Sequence, residues 1–399
     1  MADTLTFDVV VLGAGPAGSA AAKRAADRGL SVALIDRSVF PRHKLCGALI
    51  SPRANKAIRD VHGMEMPEDM YLPSRSVEFK WNGEVLRDIE APYDLTYSNR
   101  IDFDHWLRNS ALEAGAVNME GTRVAAFLDA ENALELADGT RIEYGVLIGA
   151  DGAASPLAKH LFGQAFDNDK IAFAFEAEAD QPCDGEKDAL MSIDFRIVRW
   201  GYGWNFPKRK TRTIGLGGIK SVDQDLKALM AQYLELEGVD PDSVKVKGAH
   251  LPGGDYKKRP GRENILLVGD AAGFVDAITG EGIALAIESG AMAGDAAAEA
   301  LAADRPRRAE KFYFAAVKSI QAELDKVRRI RGIVYAEAFE KHFKDRLRHS
   351  DWVGTAFFDV LAGNQTYAEV EKRFAQKAFT SALKGVAAWP SKMRRKRAS

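Results

Sequence analysis

The sequence predicts an α/β protein: a Rossmann-type dinucleotide-binding domain, an antiparallel-sheet domain and a C-terminal helical region. Three observations carry this. The apolar run Val9–Leu12 passes directly into Gly13-Ala14-Gly15-Pro16-Ala17-Gly18 and an Ala-rich helical pattern, and Val32–Ile35 then leads to Asp36. Residues 76–99 and 165–258 are rich in strand patterns, among them Ile171–Ala177 and Met191–Ile197, which alternate as half-buried strands do. From about Arg305 onward Ala, Glu, Lys and Arg dominate, with little proline.

The first element is strand, Gly-rich turn, helix, strand and carboxylate, the phosphate-binding unit of a dinucleotide site. Gly13 permits the tight turn, Gly15 lets the backbone approach a pyrophosphate, and Gly18 allows the helix to pack closely on the strand. Ala17 lies within the same turn, where helix amides and dipole face the phosphates. Asp36 is placed to accept hydrogen bonds from a ribose, with Arg37 beside it. Further along, Val146–Gly149 is a short buried-strand pattern ending at Asp151-Gly152, and Ile265–Val268 is another ending at Gly269-Asp270. Thr279-Gly280-Glu281-Gly282-Ile283 then opens a helix of small residues, Ala284 to Ala300. Residues 223–237 read as an amphipathic helix, and Arg212–Ile219 as the partner strand of Tyr202–Phe206.

Composition bounds the function. A chain of 399 residues with net charge −2 can bury a large core and carries no nucleic-acid signature. The N-terminus has no basic region followed by an apolar core, and the longest apolar runs are broken by Asp270, Asp276 and Glu281. Two cysteines make no disulfide framework, and the seven histidines show no metal-ligand spacing. The expectation is a cytoplasmic protein without a bound metal.

Four segments in order, around Gly13–Gly18, Asn99–Leu107, Asp151-Gly152 and Gly269-Asp270, resemble the aromatic-ring hydroxylase-like flavoproteins. The resemblance spans roughly residues 7–300 and implies an FAD domain built from discontinuous segments. It implies that Asp270 binds ribityl or ribose hydroxyls, that Gly280, Gly282 and Ile283 face the flavin pyrimidine edge, and that Arg100 lies beside FAD. A helix N-terminus suits the negative charge of reduced flavin there.

Two rarer motifs narrow the resemblance. Pro41-Arg42-His43-Lys44-Leu45-Cys46-Gly47 and Tyr202-Gly203-Trp204-Asn205-Phe206-Pro207 are similar to segments of the geranylgeranyl reductase family, with Ala48 where relatives often carry a second glycine. Asp359–Tyr367 also resembles this family, less specifically. The family reduces carbon–carbon double bonds of isoprenoid chains with FAD as the immediate donor, and NADPH or reduced ferredoxin as the electron source. Tyr202, Trp204 and Phe206 share one strand face, either the wall of a prenyl pocket or a sheet's core face. The resemblance places Cys46 near flavin or substrate, as proton donor or conformational lever. Cys46, Tyr202 and Trp204 are the catalytic candidates. Lys44 and Arg42 reach the pyrophosphate or a substrate anion, or simply face solvent.

The expected domains are 1–75, 100–164 and 259–303 for FAD, 76–99 and 165–258 for a substrate-covering sheet, and 304–399 for helices. The basic run Lys392–Arg397 reads as a solvated tail or as a peripheral contact with the inner membrane face. The alternative function is a flavin-dependent monooxygenase or halogenase on the same scaffold. Halogenases carry Trp-x-Trp-x-Ile-Pro where this chain has Tyr202 and Phe206 at the varying positions.

Overall fold

The computed structural model describes residues 4–47, 49–183, 189–222, 224–373 and 376. The chain opens with β1 (Thr4–Leu12), α1 (Pro16–Asp27) and β2 (Val32–Asp36). β2 is buried throughout, as are Val9 to Leu12. A parallel strand covered on both faces shows no alternation, which is why these segments read as continuous apolar runs. Next come β3 (Leu49–Ile50), α2 (Pro52–His62), and a hairpin of β4 (Tyr71–Trp81) and β5 (Glu84–Ser98). The hairpin turns at Asn82-Gly83, both at positive φ, the pair such a turn favours. Helix α3 (Arg100–Glu113) and strands β6 (Val117–Glu120), β7 (Val124–Leu128), β8 (Ala133–Leu136) and β9 (Arg141–Gly149) lead to α4 (Pro156–Phe162).

A second run of strands follows: β10 (Ala172–Ala179), β11 (Met191–Phe195), β12 (Gly201–Pro207) and β13 (Arg212–Ile219). After α5 (Leu226–Leu236) and β14 (Lys247–Leu251) come β15 (Gly261–Arg262), β16 (Ile265–Leu267), α6 (Gly269–Ala272) and the long α7 (Ile283–Ala302). The C-terminal helices are α8 (Ala309–Ala316), α9 (Lys318–Val334), α10 (Glu340–His349) and α11 (Asp351–Leu361). Among the described residues no helix is long and apolar enough to cross a membrane.

These strands form two sheets. The first has the order β15-β16-β9-β1-β2-β6, extended by β8 on β9 and β7 on β8. β1 runs parallel to both β2 and β9, and β16 parallel to β9. The second has the order β14-β10-β13-β12-β11-β4-β5-β3. It is antiparallel except where β11 lies parallel to β4. The chain leaves this sheet after β5 to build part of the first, so its return is a crossover.

Burial departs from the expected alternation in the second sheet, because both of its faces are covered. Met230, Tyr233 and Leu234 of α5 pack on Ala177, Ile197, Ile214 and Leu216. On the other side Tyr335, Leu347, Phe358 and Leu361 join Phe79, Ile193, Trp204 and Phe206. Every residue of β11 is therefore buried, Asp194 included, whose carboxylate accepts the Gly83 N–H at 2.7 Å. β4 starts at Tyr71, ahead of the insert expected from residue 76, and β3 also joins this sheet.

Small residues let α1 and α7 cross closely. A methyl on Gly290 would lie 2.1 Å from the Ala17 carbonyl oxygen, and one on Gly294 would lie 2.8 Å from that of Ala21. Gly269, at the start of α6, abuts Ala17 in the same way, at 3.0 Å. The small-residue pattern of α7 thus holds three motif segments at one end of the first sheet.

Candidate functional site

The Gly-rich turn is fixed by backbone geometry. Gly13 has φ of 97°, and a side chain there would strike the Ala150 carbonyl at 2.3 Å. A methyl on Gly18 would meet the Gly13 carbonyl oxygen at 1.7 Å. Gly15 differs: within 4 Å its methyl would meet only the tip of Arg42, at 3.4 Å. No side chain of the N-cap closes α1, and its first turn holds no acidic residue. Asp36 accepts the Ala14 N–H and the Ser38 N–H, each at 2.8 Å, bracing the turn from β2. Arg37 is exposed beside it.

The remaining candidates on this side gather around the same end. The Asp151-Gly152 loop follows Ala150, on which Gly13 rests. One oxygen of its carboxylate, Oδ2, accepts the Leu157 N–H of α4 at 3.1 Å, while Oδ1 is buried with no hydrogen-bond partner among the described residues. Asp270 is half-buried, and its carboxylate makes no hydrogen bond among the described residues. Gly282 lies beside it, 3.8 Å from a methyl placed on that glycine to Asp270 Oδ1. Helix α7 begins its ladder with Ala286 N–H to the Gly282 carbonyl, which leaves the Gly282 and Ile283 amides outside it. Glu281, buried, caps the Ala284 N–H at 2.8 Å, and burial pushes its carboxyl up.

An open cradle at Gly15, an unengaged carboxylate at Asp270 and free amides at α7 fit a dinucleotide with a flavin ring. The fit lies in backbone donors and space.

The aromatic row is equally definite. Tyr202, Trp204 and Phe206 lie side by side, ring centroids 6.0 and 6.5 Å apart. Opposite them on β13 stand Gly217, Gly215 and Thr213. The Trp204 indole covers Gly215 so closely that a methyl there would lie 2.4 Å from the ring. At one end the Tyr202 hydroxyl donates to the Thr279 carbonyl at 2.8 Å and touches Gly280, whose φ is 73°. Burial, with Tyr335, Asp276, Cys46 and Glu281 nearby, pushes the Tyr202 phenol far up, so it holds its proton. At the other end a methyl on Gly47 would lie 2.8 Å from the Phe206 ring and 3.3 Å from Trp204 Nε1. That indole nitrogen is buried with no hydrogen-bond partner.

Cys46 is gripped from two directions. Its N–H donates to Glu176 Oε1 at 2.8 Å, and its side chain is hydrogen-bonded by the Arg100 guanidinium. Arg100 also binds Asp104 through two bonds of 2.6 and 2.9 Å, and Arg42 reaches the same carboxylate at 3.1 Å. Burial opposes the charge on Arg100, but Asp104 and Cys46 together outweigh it and the group stays protonated. Lys44 is half-buried in the same loop. The contacts close a circuit: Gly15 to Arg42, Asp104, Arg100, Cys46 and Gly47, then Trp204, Tyr202, Gly280, Gly282 and Asp270, and back through Gly269 to Ala17.

Sequence reading missed Glu176, Asp104 and Asp276. Glu176 stands in a strand read as alternating, where a carboxylate passes for the polar face. Asp104 sits in the Asn99–Leu107 segment, and its i,i+4 spacing from Arg100 was a usable signal. Asp276 accepts the Tyr367 hydroxyl at 2.7 Å, which ties the Asp359–Tyr367 motif to the Thr279–Glu281 loop. Among the described residues no group of three or more His, Cys, Asp or Glu is arranged to hold a metal.

Residues 7–180 match the pyridine nucleotide-disulphide oxidoreductase family. A menaquinone reductase of Mycobacterium tuberculosis is 33% identical over 313 residues, 72% of this chain and 76% of that one. A geranylgeranyl diphosphate reductase of Rhodobacter capsulatus is 31% identical over 76% of this chain and 78% of that one. Among solved structures, a geranylgeranyl bacteriochlorophyll reductase-like protein of Thermoplasma acidophilum superposes with a TM-score of 0.79 at 20% identity, covering 94% of this chain and 99% of the other. A flavin-dependent brominase shares the fold with a TM-score of 0.70 at 17% identity, over 93% and 100%. Fold and relatives together define an oxidoreductase. The chain belongs to the geranylgeranyl reductase family of FAD-dependent oxidoreductases.

Proposed function

We propose that this protein reduces carbon–carbon double bonds of a geranylgeranyl or related isoprenoid chain carried by a pigment, lipid or diphosphate. The observation that carries this reading is the aromatic row, which touches Cys46-Gly47 at one end and the Gly280 turn at the other. Related proteins named for geranylgeranyl diphosphate, digeranylgeranylglycerophospholipid and menaquinone support the isoprenoid class. Here the first sheet and its helices form the FAD domain, the second sheet covers substrate, and the C-terminal helices back it.

The Gly13–Gly18 turn and Arg42 hold the pyrophosphate, Asp36 a ribose, Asp270 the ribityl or ribose hydroxyls, and Gly280, Gly282 and Ile283 the flavin edge. FAD held there, once reduced by NADPH or reduced ferredoxin, would supply the hydride chemistry the alkene needs. Everything else falls to the protein. An isolated alkene has no carbonyl to accept charge, so the site must supply a proton and keep water out. Tyr202, Trp204 and Phe206 give the apolar wall that excludes water from a prenyl chain. Tyr202, its hydroxyl committed to Thr279, orients and packs. Cys46, half-buried beside Arg100, is the candidate to hold a proton near the substrate. The basic run Lys392–Arg397, proposed as a contact with anionic lipid, lies outside the described residues.

The test is a panel of geranylgeranyl diphosphate, prenylated quinone and prenylated lipid incubated with reduced protein, with and without oxygen, and read by product mass. Gain of two hydrogens per double bond without oxygen supports the reading. Product formed only with oxygen, carrying oxygen or halogen, moves the chain to the monooxygenase or halogenase class.

A further inference from the structure

Resting on the reductase reading above, we propose that Glu176 is a positioning residue for Cys46. Its carboxylate holds the Cys46–Gly47 segment on the aromatic row, and protonation of that carboxylate weakens the hold.

The geometry is specific. Glu176 is only 8% exposed, and its hydrogen bond to protein goes to the Cys46 N–H, at 2.8 Å. It stands opposite Gly215, which in turn stands opposite Trp204. The carboxyl and the indole thus share one row across a strand that carries no side chain there. Cys46 is held at its backbone by Glu176 and at its side chain by Arg100, while the next residue, Gly47, rests on Phe206 and Trp204. A charged hydrogen bond is about twice as strong as a neutral one, so ionisation of Glu176 decides how firmly this segment sits.

The charged groups facing Glu176 are few. Lys208, just past the end of β12, is nearby, but its ammonium binds Glu178 at 2.7 Å, and Glu178 itself lies on the same strand as Glu176. Arg100 approaches from α3, with Asp104 and Arg42 behind it. Lys247, opposite on β14, is exposed. Burial pushes the Glu176 carboxyl up to about 7, against the pull of the Cys46 N–H and Lys208. The charged, holding form is therefore populated above about pH 7 and lost as pH falls through it.

The test uses the holoprotein, alkylated with iodoacetamide and followed through the mass of the Cys46 peptide. Glu176→Gln keeps the shape and an acceptor oxygen but never ionises; Glu176→Asp keeps the charge. At about pH 8 Cys46 in the Gln variant should be alkylated at least roughly threefold faster than in wild type, and at about pH 6 the two rates should coincide. The Asp variant should retain the wild-type pH dependence. Prenyl reduction by wild type should rise through about pH 7, whereas the Gln variant should stay flat at the acid-side level. Equal alkylation at every pH, or a difference that persists unchanged at acid pH, overturns the proposal. Wild-type protection above neutral pH without any prenyl reduction overturns the reductase reading and supports the assignment of Glu176.

Discussion

The phosphate turn and the aromatic row, the two halves of the proposed site, are built on opposite principles. At Gly13–Gly18 the turn itself is set by adjacent residues, a strand and a helix, and the remote contacts from Asp36, Ala150, Gly269 and Gly290 only brace it from behind. At Tyr202–Phe206 the neighbouring strand supplies Gly215, but the contacts at both ends of the row are remote in sequence, from Gly47, Thr279 and Gly280. The first half works through backbone amides and empty space. The second works through packed side chains and buried charge. A local motif fixes a binding geometry wherever it occurs, whereas a packed row gains its chemistry only from what the fold lays across it.

This contrast can be broken first at the turn. Gly15→Val adds bulk where only the tip of Arg42 lies near, so the fold should survive while the pyrophosphate is excluded. Flavin affinity should fall by about a hundredfold or more, ~2.7 kcal/mol, giving colourless protein whose melting curve matches that of flavin-free wild type. Retained yellow colour would place the cofactor elsewhere.

At the aromatic row the effect should be smaller and of another kind. Trp204→Ala removes the indole that covers Gly215 and lines Gly47, leaving the cofactor cradle intact. Flavin content should match wild type while kcat/KM for a prenyl substrate falls by about tenfold or more, ~1.4 kcal/mol. Loss of flavin with turnover would mean that the two halves are not separable.

The smallest effect is expected at the junction. Tyr202→Phe deletes the hydroxyl that donates to the Thr279 carbonyl, a bond worth about 0.5–1.5 kcal/mol. Denaturant unfolding should show that loss, with flavin still bound.

The same contrast explains what was legible in the sequence. The turn, Asp36, the Gly269-Asp270 strand end and the β12–β13 pairing follow from runs and spacing that a few residues define. The alternation of β12 put Tyr202, Trp204 and Phe206 on one face, and the fold places them so. Glu176 was illegible because period-two alternation assigns it to solvent, while the Cys46 loop covers it only after more than a hundred intervening residues fold back. Asp151 was legible only in part: the Asp-Gly motif marks the strand end, but the bond from one carboxylate oxygen to the Leu157 amide lies beyond the motif, and the other oxygen is buried without a partner among the described residues. Parallel pairing of β4 with β11 was hidden for a similar reason, since it depends on the long excursion through the first sheet.

The central claim, that the flavin half and the aromatic half meet around one alkene, is tested most directly by isotope labelling. Reduced wild-type holoprotein is mixed with a geranylgeranyl compound in deuterated water without oxygen, and the product is read by mass spectrometry. The claim predicts flavin reoxidation with a saturated bond bearing deuterium at both added positions, one from solvent through the proton donor and one from the flavin N–H after its exchange with solvent. Reduced flavin that persists until oxygen is admitted, with the double bonds intact, would contradict it.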